Sequence, residues 1–154
     1  MARGDVKWFG SFIQAGMQNT LTINLVGDTI KLGFVNNTTT PALTTADPRW
    51  GAGGTTNFAS NEVATGSIYI AGGFSLASKT WTGTATVTLD ANNVTCAQEV
   101  SGGFADAYYA IGYSDSSPGK HAIFYVDLGG PVNNTAGAVT ITWNAGGIIT
   151  AVPQ

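Results

Sequence analysis

Charge is what this sequence has least of. Only 10% of its residues are Asp, Glu, Lys or Arg, against about 25% in an ordinary soluble domain. The six basic residues are scattered from Arg3 to Lys120. They form no stripe, which argues against nucleic acid as a partner. A single cysteine, Cys96, excludes an internal disulfide and a multi-cysteine metal site. A single histidine, His121, excludes a histidine-rich metal centre. No apolar run approaches the roughly eighteen residues of a membrane helix. Met1-Ala2-Arg3-Gly4-Asp5 has no continuous apolar core of the kind a signal peptide carries. The expectation is a protein that stays in the cytoplasm that makes it, with no membrane partner.

Chemistry is equally thin. Catalysis needs converging groups, but the nine carboxylates are spread singly from Asp5 to Asp127. No Gly-x-Ser-x-Gly elbow occurs. Gly51-Ala52-Gly53-Gly54 and Ala71-Gly72-Gly73 lack the Lys-Ser/Thr of a phosphate loop. Asp90-Ala91-Asn92-Asn93 lacks the glycine and closing glutamate of a calcium loop. His121 reads as an edge residue, and Cys96 as a small buried apolar one. Arg3-Gly4-Asp5 matches an adhesion tripeptide that a chain of this size carries by accident. The expectation is a protein that is not an enzyme, with no cofactor and no metal.

What is present is alternation. From Ala107 to Val152 the chain reads as four strands of a meander, broken at Asp115–Gly119, at Gly129-Gly130-Pro131 and at Asn144–Gly147. Period-two patterning bounded by Gly, Pro, Asn and Ser marks half-buried strands. Trp81, Gly83, Ala85, Val87 and Leu89 alternate with threonines, the clearest single strand. Leu21, Ile23 and Leu25 predict another, Ile30 to Phe34 the next, and Phe74 to Ala77 and Val94 to Cys96 two more. Val6 to Met17 reads as a helix, with Trp8, Phe9, Phe12 and Ile13 in one apolar stripe. The fold class expected is all-β: a jelly-roll-like sandwich of eight to ten short strands with a short N-terminal helix. It is read as one domain over residues 1–154, with an N-terminal helical segment or arm over 1–17 and a long variable loop over 36–61.

That loop has no periodicity. It carries Asp47-Pro48-Arg49-Trp50, and loops of this length are functional or disordered. Arg49 and Trp50 are residue types that dominate interfaces, which makes them candidates for an intermolecular contact. The other reading folds the loop back on its own subunit, with Trp50 filling the edge of the core. The N-terminal stripe is open in the same way: it caps the core or docks on a neighbour. Trp81, Trp143, Tyr109 and Tyr113 are expected inside, and Tyr108 and Trp50 outside.

The order of the pieces resembles a family of small virion proteins of tailed bacteriophages. The motifs are Val6-Lys7-Trp8-Phe9-Gly10-Ser11-Phe12, then Asp28 to Leu32, then Glu62-Val63 with Tyr69-Ile70-Ala71-Gly72-Gly73. Ala107 to Tyr113, Val126 to Gly129 and Thr140 to Ile148 follow. The similarity spans nearly the whole chain except Asn36 to Asn61. It implies a structural particle protein with no catalytic residues to transfer. The function expected is a capsid decoration, or cement, protein on the virion surface. Its partners would be the major capsid protein and copies of itself, a homotrimer being favoured. A tail or baseplate component is the alternative, and a carbohydrate-binding module a third. Trp8, Phe9, Phe12, Ile13, Arg49 and Trp50 are the candidate assembly residues.

Overall fold

The computed structural model describes residues 4–151. The architecture is an all-β sandwich with one short helix. Its first layer is a five-stranded antiparallel sheet. The strands are β1 (Val6–Trp8), β2 (Ile30–Val35), β5 (Phe74–Ser75), β9 (Ala107–Ser114) and β10 (Ala122–Val132), in the order β1-β10-β9-β2-β5. The second layer holds β6 (Thr80–Thr82), β7 (Val87–Asp90) and β12 (Ile149–Ala151), with β8 (Val94–Cys96) paired to β11 (Val139–Ile141). Two-residue strands β3 (Pro48–Arg49) and β4 (Thr56–Asn57) pair in parallel within the long loop. The described strands therefore number twelve, several of them only two or three residues long.

Both faces of the five-stranded sheet are buried, which is why its central strands read as nearly unbroken apolar runs. On one face Ile30, Leu32, Phe34, Ala110, Phe124 and Val126 meet Leu89, Cys96, Ile141 and Ile149 of the second layer. On the other, Val35, Ile111, Tyr113 and Tyr125 are covered by Phe9, Trp50 and Phe58. Phe58 opens a 3-10 turn over Phe58–Asn61, capped by the Asn57 side chain accepting from Ala59 N–H. The long loop is thus a cover for the sheet's second face. A register shift between Ala122 and Phe124 turns Ile123 and Phe124 to the same side, as a bulge does.

Two glycines in the central strands make room for aromatics. A Cβ on Gly33 would run into the Trp50 ring, and one on Gly112 into the ring of Phe124. Trp50 lies flat on Tyr113, with centroids 4.8 Å apart and planes 4° from parallel.

The structure corrects several expectations. Residues 6–17 are not one helix. Val6–Trp8 pair with Val126, Tyr125 and Phe124 of β10, Phe9 is the extended N-cap, and the helix α1 runs Gly10–Met17. For Val6–Trp8, pairing with the edge of β10 outweighs the helical spacing. The Trp81–Leu89 alternation is a hairpin: β6 turns into β7 at Gly83 (φ +110°). The stretch Leu21–Leu25 keeps its alternating burial but pairs with no strand. The break expected at Gly129-Gly130-Pro131 does not end the strand; β10 passes through it with a register shift before Val132.

The C-terminal strands are no meander either. Only β9 and β10 pair with each other, while β11 and β12 cross to the second layer. There β12 pairs with β7 and β11 with β8, in two separate sheets. Four residues lie between Leu89 and Val94, but seven lie between their partners Ile149 and Ile141. The three extra residues fold into the turn where Gly147 N–H donates to Asn144 C=O. Val152 and Arg3, parts of the predicted last strand and of the adhesion-like tripeptide, lie outside the described residues.

Candidate functional site: an apolar groove

The predicted assembly residues divide between core and surface. Phe9 is fully buried against Phe58 and Tyr125, at centroid distances of 5.7 and 4.9 Å. Trp50 is 4% exposed. The expected outward position of Trp50 is therefore corrected: the loop folds back on its own chain, because Gly33 leaves a slot that only a flat ring fills. Arg49 is tied to Asp47, its Nε donating to Oδ1 at 3.0 Å and its Nη2 to Oδ2 at 3.3 Å. That pair braces the loop locally.

Trp8, Phe12 and Ile13 do come together, though not as a helical stripe. Trp8 from β1 stacks on Phe12 of α1 at 5.7 Å. It also meets Trp81 of β6 edge-on at 6.2 Å, and its Nε1–H donates to Thr150 C=O at 3.3 Å. These rings floor a groove of about 560 Å³. Met17 is 84% exposed on its rim, Val26 45%, Ile13 41% and Trp81 39%. Among the described residues no charged side chain lines it. Local geometry holds Val26 out: Asn24 Oδ1 accepts from Val26 N–H and Gly27 N–H, and Asp28 Oδ2 accepts from Asn24 N–H. Asn19, in the left-handed region at φ +55°, ends α1 and turns the chain toward that segment.

Trp81, expected in the core, is a surface ring, and Met17 and Val26 were not anticipated. Met17 was within reach, since it extends the Ile13 row by four residues along the helix. Trp81 was not, because its exposure follows from a hairpin that alternation alone does not reveal.

The polar clusters elsewhere are tied together by ion pairs and hydrogen bonds. Asp115 sits between Lys31 at 3.0 Å and Lys120 at 2.7 Å, and the lysines hold its carboxyl below the usual range. Glu62 accepts from Tyr69 O–H and Gly72 N–H, and Tyr113 O–H donates to Gly72 C=O. Burial, with Glu62 nearby, pushes the Tyr69 phenol far up; burial, with Asp115 and Glu62 nearby, does the same to Tyr113. The Glu99 carboxylate accepts from Ser67 Oγ–H, Ser67 N–H and Ile68 N–H, which lowers its pKa. Burial raises the Cys96 thiol. Among the described residues no group of three His, Cys, Asp or Glu side chains is placed to hold a metal. No helix among them is long and apolar enough to cross a membrane. Comparison with known protein families, with curated sequences and with solved structures finds no match.

Proposed function

We infer that the chain is a structural protein of a tailed-bacteriophage particle, a capsid decoration protein that docks through the groove around Trp8. The observation that carries docking is an uncharged, aromatic-floored groove rimmed by exposed Met17, Val26, Ile13 and Trp81. Apolar surface rimmed in this way marks interaction sites. The particle itself rests on the ordered motifs from Val6–Phe12 to Thr140–Ile148. A chain in which only 10% of residues are charged has little long-range repulsion to keep neighbouring copies apart. A symmetric oligomer touching several capsid subunits at once would multiply modest contacts into tight attachment. Trp81 supports one other reading, since an exposed indole face can stack on a sugar ring.

Electron microscopy of particles incubated with labelled protein tests this reading. Decoration of heads is expected, and Met17→Glu should weaken it about tenfold or more while leaving the melting temperature near wild type. Label on tails or baseplates would make it a tail component. Glycan binding with no label on particles would make it a sugar-binding module.

A further inference from the structure

The first layer ends in an edge, the outer side of β1, with which no strand among the described residues pairs. Strand β1 pairs with β10 on one side only. Phe9 N–H donates to Ile123 C=O, and Asp127 N–H donates to Asp5 C=O. In an antiparallel ladder the N–H and C=O of one residue point the same way, and successive residues alternate. Asp5, Lys7 and Phe9 therefore direct their backbone groups at β10. Val6 and Trp8 direct theirs away from the sheet. Along that outer side runs a cleft of about 1380 Å³ between the β1 edge and the β11–β12 arm.

We propose that this edge pairs with the β1 edge of a second copy of the chain, antiparallel about a two-fold axis through Val6. The charge pattern selects both partner and register. Val6 and Trp8 pack toward the main core, while Lys7 stands exposed on the opposite face. With Val6 opposite Val6 of the other copy, the two exchange a reciprocal pair of hydrogen bonds. Asp5 of each copy then faces Lys7 of the other on the outer face, twice over. Sliding by one residue toward Trp8 sets Lys7 opposite Lys7, which is unfavourable. One register is thus favoured, and the cleft gives the incoming strand room. The result is a continuous sheet of ten strands across two copies and an isologous contact. It rests on the assembly reading only in requiring self-association. Its two-fold contact differs from the homotrimer favoured in the sequence analysis.

The test uses the full chain in sedimentation velocity over a concentration series, with amide hydrogen exchange in parallel. A reversible dimer is expected, with the Val6 amide slowing as concentration rises and the Lys7 amide protected throughout. Val6→Pro removes an N–H that the chain's own sheet does not use, and should weaken the dimer about tenfold or more. Lys7→Asp should weaken it about tenfold through two like-charge pairs. The double change Asp5→Lys with Lys7→Asp should restore it. A protein monomeric throughout the series overturns the proposal. So does a dimer indifferent to Val6→Pro, or a double variant as weak as the single one. If Val6→Pro does not fold, a Val6 amide whose exchange ignores concentration also overturns it. A dimer that binds no particle would sink the particle reading and leave this one standing; monomers that still decorate heads would do the reverse.

Discussion

Trp50 shows how a side chain's role depends on what faces it. In the sequence it is a large aromatic in a loop of threonines and glycines. In the fold its ring covers Gly33, lies flat on Tyr113 and is 4% exposed. Trp50→Ala should cost about 3–5 kcal/mol, the usual loss for emptying a buried aromatic site, read as a lower midpoint in urea. An unchanged midpoint would mean the loop does not cover the sheet. His121 is the second residue-scale case. Its Nδ1 is buried with no hydrogen-bond partner among the described residues. Burial lowers its pKa, Arg49 adds to this and Asp47 opposes it. The folded state therefore takes up its proton less readily than the unfolded chain. Stability should fall as pH drops below about 6.5, and level off once the pH is below the lowered folded value. His121→Gln should flatten that part of the curve, measured as melting temperature against pH. Equal slopes in both proteins would show that another group governs it.

At the scale of elements, loops here are held by single side chains that stand in for backbone pairing. Asn134 is fully buried. Its Oδ1 accepts from Phe104 N–H at 2.8 Å, and its Nδ2 donates to Ala97 C=O and toward Cys96 Sγ. It ties the end of β8 to the segment entering β9. Asn134→Ala would strand the buried Phe104 N–H and cost about 1–3 kcal/mol. Faster amide exchange confined to residues 97–104 is the accompanying sign; exchange unchanged there would show that the segment is held by something else. Strand existence was largely legible at this scale. The residues of β2, β9 and the first part of β10 are central, so their patterns are long and apolar. β1 was not legible, because an edge strand of three residues carries too short a pattern to oppose a helical spacing. The β6–β7 hairpin was missed because Gly83 sits in phase with the alternation, and only its positive φ marks a turn.

For the whole molecule, the N-terminal segment is part of the sandwich. β1 supplies the sheet edge and Phe9 fills the second core. Deleting residues through Ala15 should leave a chain without a cooperative thermal transition. A folded truncated protein would show that the remaining sheet stands alone. Within this segment Phe9 belongs to the core, while Trp8, Phe12 and Ile13 line the groove.

Composition and period-two alternation by themselves determined an all-β protein with few charges. Both are properties of residue types in order, and a strand's two faces are written in its alternate positions. Which strands pair, which face of the sheet the long loop covers, and which tryptophan is inside were decided only by tertiary structure. Those outcomes depend on contacts between residues far apart in the chain, such as Gly33 with Trp50 or Trp8 with Trp81. A local pattern shows that a residue is apolar; only the packed fold shows whether its partner is its own chain or lies beyond the surface.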